Sequence, residues 1–302
     1  MGARVVVATN PSSGAGRGRS VGAAALAGLA AEGVVADDLT AGSAAGTAEA
    51  LADAVRAGVD AVVVCGGDGM VNLALNAVAG TPVALGVVPA GTGNDIAREL
   101  GLPGRADAAV RAVAAALLGG GRRRVDGVRC TGEHGTRWFG GVLAAGFDAV
   151  VNERANGWAG RRGLPRGRAR YPLAVARELP LLRQRPYVLD LDGRRLETTA
   201  MIVAVANVPA YGGGMRIAPG ADPADGLLDV VVAGPISRPE FVRVFPKVFS
   251  GRHVEHPRVS VHRARRVTVE APGIVGYADG ERFGPLPLTC EAVPGALTLL
   301  VP

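Results

Sequence analysis

Lys247 is the only lysine in this 302-residue chain, although Lys and Arg together number 33. With no lysine in any glycine-rich turn, a P-loop of the Gly-Lys-Ser/Thr kind is excluded. Phosphate must instead be met by arginine, a metal ion or backbone N–H groups. Cysteines are few and far apart, at Cys65, Cys130 and Cys290. That spacing suits neither a disulfide framework nor a metal site, and a reducing cytoplasm is expected. No apolar run approaches the ~18 residues of a membrane span. The chain leads into the strand-like stretch Arg4–Ala8 without the apolar core of a signal peptide. Met1-Gly2 fails as a myristoylation signal, because Val6 stands where Ser or Thr is needed. The expectation is a soluble, cytoplasmic protein whose contact with any membrane is peripheral.

What is plentiful is apolar and small. Hydrophobic residues make up 48% of the chain and glycines number 45, which implies a sizeable core with tight turns. The net charge of +6 fits an anionic partner: nucleotide, nucleic acid or an acidic membrane face. An arginine-rich stretch, Glu153–Arg170, holds Arg154, Arg161, Arg162, Arg166, Arg168 and Arg170 with Trp158. Stacking aromatics are nearly absent there, so nucleic acid is not the expected partner.

Up to about Asp126, strand and helix signals alternate. Val5–Ala8 reads as a strand, Ser20–Glu32 as an Ala-rich helix, and Thr47–Ala57 as a second helix with Thr47 as N-cap. Ala61–Cys65 reads as a buried strand followed by a helix over Val71–Val78, and Val83–Val88 as another strand followed by a helix from Asn94. Ala106–Leu118 reads as a last helix, closed by Gly119-Gly120-Gly121. Such alternation predicts an open, largely parallel α/β sheet, with ligands at the carboxyl ends of its strands. After Asp126 short strands dominate: Trp138–Ala145, Val188–Leu191, Thr199–Ala206, Leu228–Val232, Val259–Val261, Arg266–Val269 and Leu297–Val301, with one helix near Pro172–Leu182. That pattern predicts an antiparallel β-rich domain.

Three polar glycine turns fall at the ends of successive strands: Asn10-Pro11-Ser12-Ser13-Gly14, Gly66-Gly67-Asp68-Gly69 and Gly91-Thr92-Gly93-Asn94-Asp95. Glycine lets backbone N–H groups close on phosphate, and a following helix N-terminus adds positive potential. A carboxylate inside such a turn, Asp68, points to a Mg²⁺-nucleotide. Gly14, Gly16 and Gly18 are not a dinucleotide fingerprint, since Arg19 stands where the third glycine belongs. Asp279-Gly280-Glu281 offers a proton acceptor and a neighbour to orient it, or a plain turn. Asp222-Pro223-Ala224-Asp225-Gly226-Leu227 offers a hard-cation loop, or again a turn.

In their order and separations these motifs resemble the diacylglycerol kinase catalytic-domain superfamily, especially its bacterial lipid kinases, related to sphingosine and ceramide kinases. The resemblance covers essentially the whole chain. It implies an N-terminal three-layer nucleotide-binding α/β domain over residues 1–126, completed by 293–302. It further implies a C-terminal antiparallel β-sandwich-like lipid domain over 127–292, with the active site in the cleft between. It implies ATP contacts at Asn10, Pro11, Ser12, Ser13, Gly14, Thr40, Gly66, Gly67, Asp68, Gly69, Met70, Val71, Asn72, Gly91, Thr92 and Asn94. Asp279 and Glu281 become the proton acceptor and its support. Mg²⁺ ligation is implied at Asp68 and Asp126, and at a structural site of Asp222, Asp225 and Leu227. Met70 stands where the bacterial lipid kinases carry Thr. ATP, Mg²⁺ and a lipid substrate at an anionic membrane surface are the expected partners, and a homodimer stays open. An NAD kinase-like enzyme and a non-catalytic lipid or nucleotide sensor on the same fold are the alternatives.

Overall fold

The computed structural model describes residues 3–11, 18–91, 93–158, 170–179 and 183–301, side chains excepted at 155, 156, 170–172 and 238. The chain divides into two compact units. One is formed by Met1–Gly127 with Val293–Pro302, the other by Val128–Ala292.

In the first unit β1 (Val5–Thr9), β2 (Ala36–Asp38), β3 (Ala61–Gly66) and β4 (Ala84–Pro89) lie parallel in the order β2-β1-β3-β4. Every residue of β1, β3 and β4 is buried, as expected of apolar runs covered on both faces. Val5, Val7, Ala61, Val63, Cys65, Ala84 and Val88 pack on helices α1 (Gly18–Ala31) and α5 (Ala106–Gly119) through Ala25, Leu29, Val110 and Val113. Helices α2 (Ala44–Arg56) and α3 (Asp68–Val78) cover the other face, which makes three layers. Helix α4 (Asp95–Glu99) follows β4 after the last glycine turn. The end of the C-terminal strand, β16 (Leu288–Leu300), adds a further parallel strand, pairing Thr298 with Ala84 and Leu299 with Leu85.

Two local expectations for this unit are corrected. Ser43, not Thr47, caps α2: its Oγ accepts from Gly46 N–H, while the buried Thr47 hydroxyl donates to Ser43 O at 3.0 Å. The edge strand β2 went unpredicted because Asp37 and Asp38 have little strand preference, and pairing with β1 imposes the conformation.

The second unit holds two sheets. Strands β5 (Arg122–Gly132, its first half in the first unit), β6 (Gly135–Phe139), β8 (Arg185–Leu191), β9 (Arg194–Ala200) and β13 (Arg266–Glu270) join the first half of β16 in the order β6-β5-β16-β13-β8-β9. Strands β7 (Val142–Gly146), β10 (Ile202–Ala206), β11 (Leu228–Ala233), β12 (Val259–Ala264), β14 (Val275–Ala278) and β15 (Glu281–Pro285) form a six-stranded antiparallel sheet, β12-β11-β10-β7-β14-β15. Their facing residues make one core, with Val128, Leu189, Val267 and Leu288 from one sheet against Leu143, Val203, Val205 and Val230 from the other. The expected fold class, an α/β unit and an antiparallel β unit, is what the chain adopts.

The single strand expected over Trp138–Ala145 is two, broken at Gly140-Gly141, for a reason given below. Among the described residues there are three α-helices in this unit rather than one: α6 (Phe147–Gly157), α7 (Arg170–Glu178) and α8 (Arg238–Val244). Helix α8 begins with a capping box. Ser237 Oγ accepts from Glu240 N–H, the Glu240 carboxylate accepts from Ser237 N–H, and Pro239 sits in the first turn.

Candidate active site

Because β1, β3 and β4 run side by side in parallel, their carboxyl ends bring Asn10-Pro11, Gly66–Gly69 and Gly91 to one edge. Asn10 N–H donates to Cys65 O at 3.1 Å, and Ala90 N–H to Gly66 O at 2.9 Å. The turns then touch backbone to backbone. A Cβ added at Gly91 would stand 2.5 Å from Gly67 Cα, and one at Gly67 would stand 3.1 Å from Gly91 Cα. Asn94 locks the third turn: Gly91 N–H donates to its Oδ1 and its Nδ2 donates to Gly91 O, each at 3.1 Å. To do so Asn94 adopts φ +54°, the left-handed region that Asn tolerates. Gly67 has φ −100°, open to any residue, so close approach rather than backbone strain requires glycine there. Met70 is buried over Gly66, where an added Cβ would stand 2.4 Å from Met70 Cγ. Val71 is also buried, and Asn72 accepts from Asn76 Nδ2 at 2.9 Å through its backbone oxygen. Thr40, exposed beyond β2, donates its N–H to Asp38 Oδ1 at 2.8 Å. Ser12, Ser13, Gly14 and Thr92 lie outside the described residues.

Asp68 opens α3 and accepts from Ile96 N–H at 3.1 Å, so it also serves the start of α4. Burial pushes its carboxyl up, the Ile96 N–H pulls it back, and the charge of Asp95 pushes it up again. A Cβ at Gly93 would stand 2.8 Å from Asp68 Oδ2 and 3.8 Å from Asp95 Oδ2. Asp95 already pairs with Arg98, which leaves Asp68 as the carboxylate beside this side-chain-free residue that fits a hard cation. Asp126 is buried and accepts from Gly295 N–H at 2.8 Å, which ties it to the C-terminal strand.

In the second unit, Asp279 sits at φ +52° between β14 and β15. Its Oδ2 accepts from Gly140 N–H at 2.9 Å, and its Oδ1 accepts from Gly141 and Val142 N–H at 3.0 and 3.1 Å. Consecutive backbone donors converging on one carboxylate explain why the strand breaks at Gly140-Gly141: those N–H groups leave the ladder for Asp279. Glu281, two residues on, is exposed.

The loop Asp222–Leu227 is closed on itself, with Asp222 Oδ1 accepting from Ala224 N–H and Asp225 Oδ1 from Leu227 N–H, both at 3.0 Å. Arg263 pairs with Asp225, and its Nε lies 3.6 Å from Asp229 Oδ2. Asp229 is buried, and its Oδ2 has no hydrogen-bond partner. Burial pushes that carboxyl up, against the pull of Arg263. Such an oxygen is one a structural cation would satisfy, although no group of three or more acidic, His or Cys side chains is arranged for a metal among the described residues.

The second unit also contains a narrow apolar cavity of about 50 Å³. Its walls include Phe147, Met215, Val231, Phe241, Val244 and Val248. Polar character comes from Asp148, Tyr211 and His253. Tyr211 O–H donates to Asp148 Oδ2 at 2.9 Å. His253 Nε2 donates to Ile217 O at 3.0 Å, leaving its buried Nδ1 without a partner. Burial raises the Asp148 carboxyl to about 6, against the bonds from Tyr211 and Ala149. The folded protein therefore holds this proton more tightly than the unfolded chain does. The linked stability is complete below about pH 4 and is lost as pH rises through about 6. Asp148→Asn is expected to flatten the fall in thermal midpoint between about pH 4 and 6, relative to the unmutated chain. Parallel slopes in pH-scanned thermal melts would remove Asp148 as the titrating group.

Residues 4–130 match the diacylglycerol kinase catalytic domain, and residues 141–301 match the YegS C-terminal NAD kinase beta sandwich-like domain. A diacylglycerol kinase of Mycobacterium tuberculosis is 44% identical over 301 residues, 99% of this chain and 95% of that protein. The chain belongs to the diacylglycerol kinase family. It is a kinase of that family. A solved diacylglycerol kinase structure from Bacillus anthracis shares the fold at TM-score 0.74 and 19% identity, covering 99% of this chain and 97% of that one. An NAD kinase from Archaeoglobus fulgidus in complex with ATP shares it more distantly, at TM-score 0.56 and 13% identity, covering 99% and 93%.

Within this family member, sequence reading passed over four candidate residues. Asp95 belongs to a quoted motif and Asp229 lies two residues past one, but neither received a role, and only packing places Asp95 beside Asp68 and leaves Asp229 Oδ2 unsatisfied. Asp148 and His253 stand in apolar surroundings with no motif to flag them.

Proposed function

We propose that this diacylglycerol kinase family member transfers the γ-phosphoryl group of ATP to the hydroxyl of diacylglycerol or a closely related lipid. The apolar cavity of the second unit carries this reading, because its greasy walls suit a hydrocarbon chain better than any soluble alcohol. On this reading the backbone N–H groups of the turns at Asn10–Gly14, Gly66–Gly69 and Gly91–Asn94 cradle the phosphates. The N-terminus of α3 adds positive potential where the missing P-loop lysine would act. Asp68, with Asp126, would hold Mg²⁺, whose chemistry when bound is to neutralise phosphate charge. The proton of the lipid hydroxyl passes to a carboxylate of the Asp279-Gly280-Glu281 turn. Asp222, Asp225 and Leu227, with the neighbouring Asp229, would hold a structural cation, and the enzyme works in peripheral contact with an anionic membrane.

The test is thin-layer analysis of a lipid panel incubated with labelled ATP, with and without Mg²⁺. A Mg²⁺-dependent phospholipid from diacylglycerol is the expected product. Phosphorylation of NAD alone would overturn the assignment in favour of the NAD kinase alternative, and no product from any acceptor would favour a sensor.

Of the basic cluster Arg154–Arg170, Arg154 is the arginine whose side chain is described. Arg154 pairs with the buried Glu178, joining α6 to α7, because a buried carboxylate needs a cation. Arg161, Arg162, Arg166 and Arg168, and the side chain of Arg170, lie outside the description.

A further inference from the structure

The segment from α8 through Ser250 has two apolar faces. Inward, Phe241, Val244, Phe245 and Val248 line the cavity, with the Phe241 and Phe245 rings stacked at 5.3 Å. Outward, Val242 is 52% exposed and Phe249 is 54% exposed, an unusual burden for a surface element. Arg243 and Lys247 stand exposed between them, and Arg252 follows. The acidic groups on this segment are already engaged. Glu240 serves the capping box and pairs with His256 at 3.1 Å, and Glu255 pairs with Arg252. The outward face is thus apolar and cationic.

We propose that the outward face of α8 and the turn after it, Val242, Arg243, Lys247 and Phe249, is a docking surface for an anionic lipid bilayer. The inference rests on the lipid-kinase reading for its purpose, and its evidence is independent of the phosphate turns. Charge complementarity selects an anionic surface, and the apolar pair needs a hydrocarbon boundary rather than a free phosphate to bury in. The wall of the cavity and the docking face are then two sides of one element.

Lys247, as the only lysine, reads the contact in the unmutated chain. Vesicles of phosphatidylcholine with about one third phosphatidylglycerol should protect it from amine acetylation followed by mass spectrometry, whereas pure phosphatidylcholine should protect it far less. In co-sedimentation at low salt, R243Q/K247Q should bind the anionic vesicles roughly thirty-fold more weakly, from about 1 kcal/mol per basic residue. V242S/F249S should lose the binding that survives high salt. Both variants should keep wild-type turnover on a short-chain, water-dispersed acceptor, since none of the four residues lines the cavity. Equal acetylation with and without anionic vesicles, or unchanged sedimentation of both variants, would overturn the docking surface. If the unmutated chain docks as described but phosphorylates no lipid, the docking stands and the lipid-kinase reading falls.

Discussion

Asp279→Asn is expected to lower turnover by ~10²-fold or more while leaving nucleotide affinity nearly intact, since loss of a proton acceptor acts on the chemical step. The surroundings of Asp279 add a second expectation. Its carboxylate accepts from the N–H groups of Gly140, Gly141 and Val142. An amide has one acceptor oxygen, so its NH₂ group would face at least one backbone donor, and that donor would lose its partner. The cost is on the order of 1–3 kcal/mol. Asp279→Asn should therefore also lower the thermal midpoint, whereas Glu281→Gln, at an exposed position, should not. The pair separates the two carboxylates. If Asp279→Asn turns over normally and Glu281→Gln does not, Glu281 is the proton acceptor and Asp279 is the clamp that shapes its turn.

Gly91→Ala is expected to abolish detectable Mg-ATP binding, with the first unit still folded. Its Cβ would stand 2.5 Å from Gly67 Cα and 2.8 Å from Asn94 Oδ1. The first obstacle is backbone of a neighbouring turn and cannot rotate away, and turning the Asn94 side chain aside would break its two bonds to Gly91. Relief requires separating the turns that cradle phosphate. Gly67→Ala meets Gly91 Cα at 3.1 Å and should weaken binding less. Calorimetric titration with Mg-ATP, beside circular dichroism to confirm folding, measures both. Wild-type affinity in Gly91→Ala would mean that the touching turns are structural only. A ranking with Gly67→Ala the more damaging would point to backbone contact with phosphate at Gly67 itself.

That ranking could not be read from the sequence. The apolar runs Val5–Ala8 and Ala61–Cys65 announce buried parallel strands because both faces of such strands are covered, and the glycine turns follow from their position after those runs. Glycine, however, means freedom or closeness, and sequence does not say to what. At Gly67 and Gly91 the near neighbour is the other turn, fixed by the adjacency of β3 and β4. The break at Gly140-Gly141 was hidden for a similar reason: its cause, Asp279, lies far along the chain. The capping box of α8 was legible, since Ser237 and Glu240 with an intervening proline spell a helix start. Its short span left the apolar periodicity too weak to notice. The cavity had no linear signature, because its lining comes from strands, helices and turns spread from Phe147 to Val259.

The C-terminal strand orders events in time. Its last residues, Thr298 and Leu299, close the edge of the first unit's sheet against β4. During synthesis every residue of the second unit leaves the ribosome before that edge can close. Through that interval the newborn first unit presents an open parallel edge, the kind that recruits foreign strands. The two units mature in nested rather than sequential order, and a ribosome that stops short of the final strand releases a first unit still one strand short.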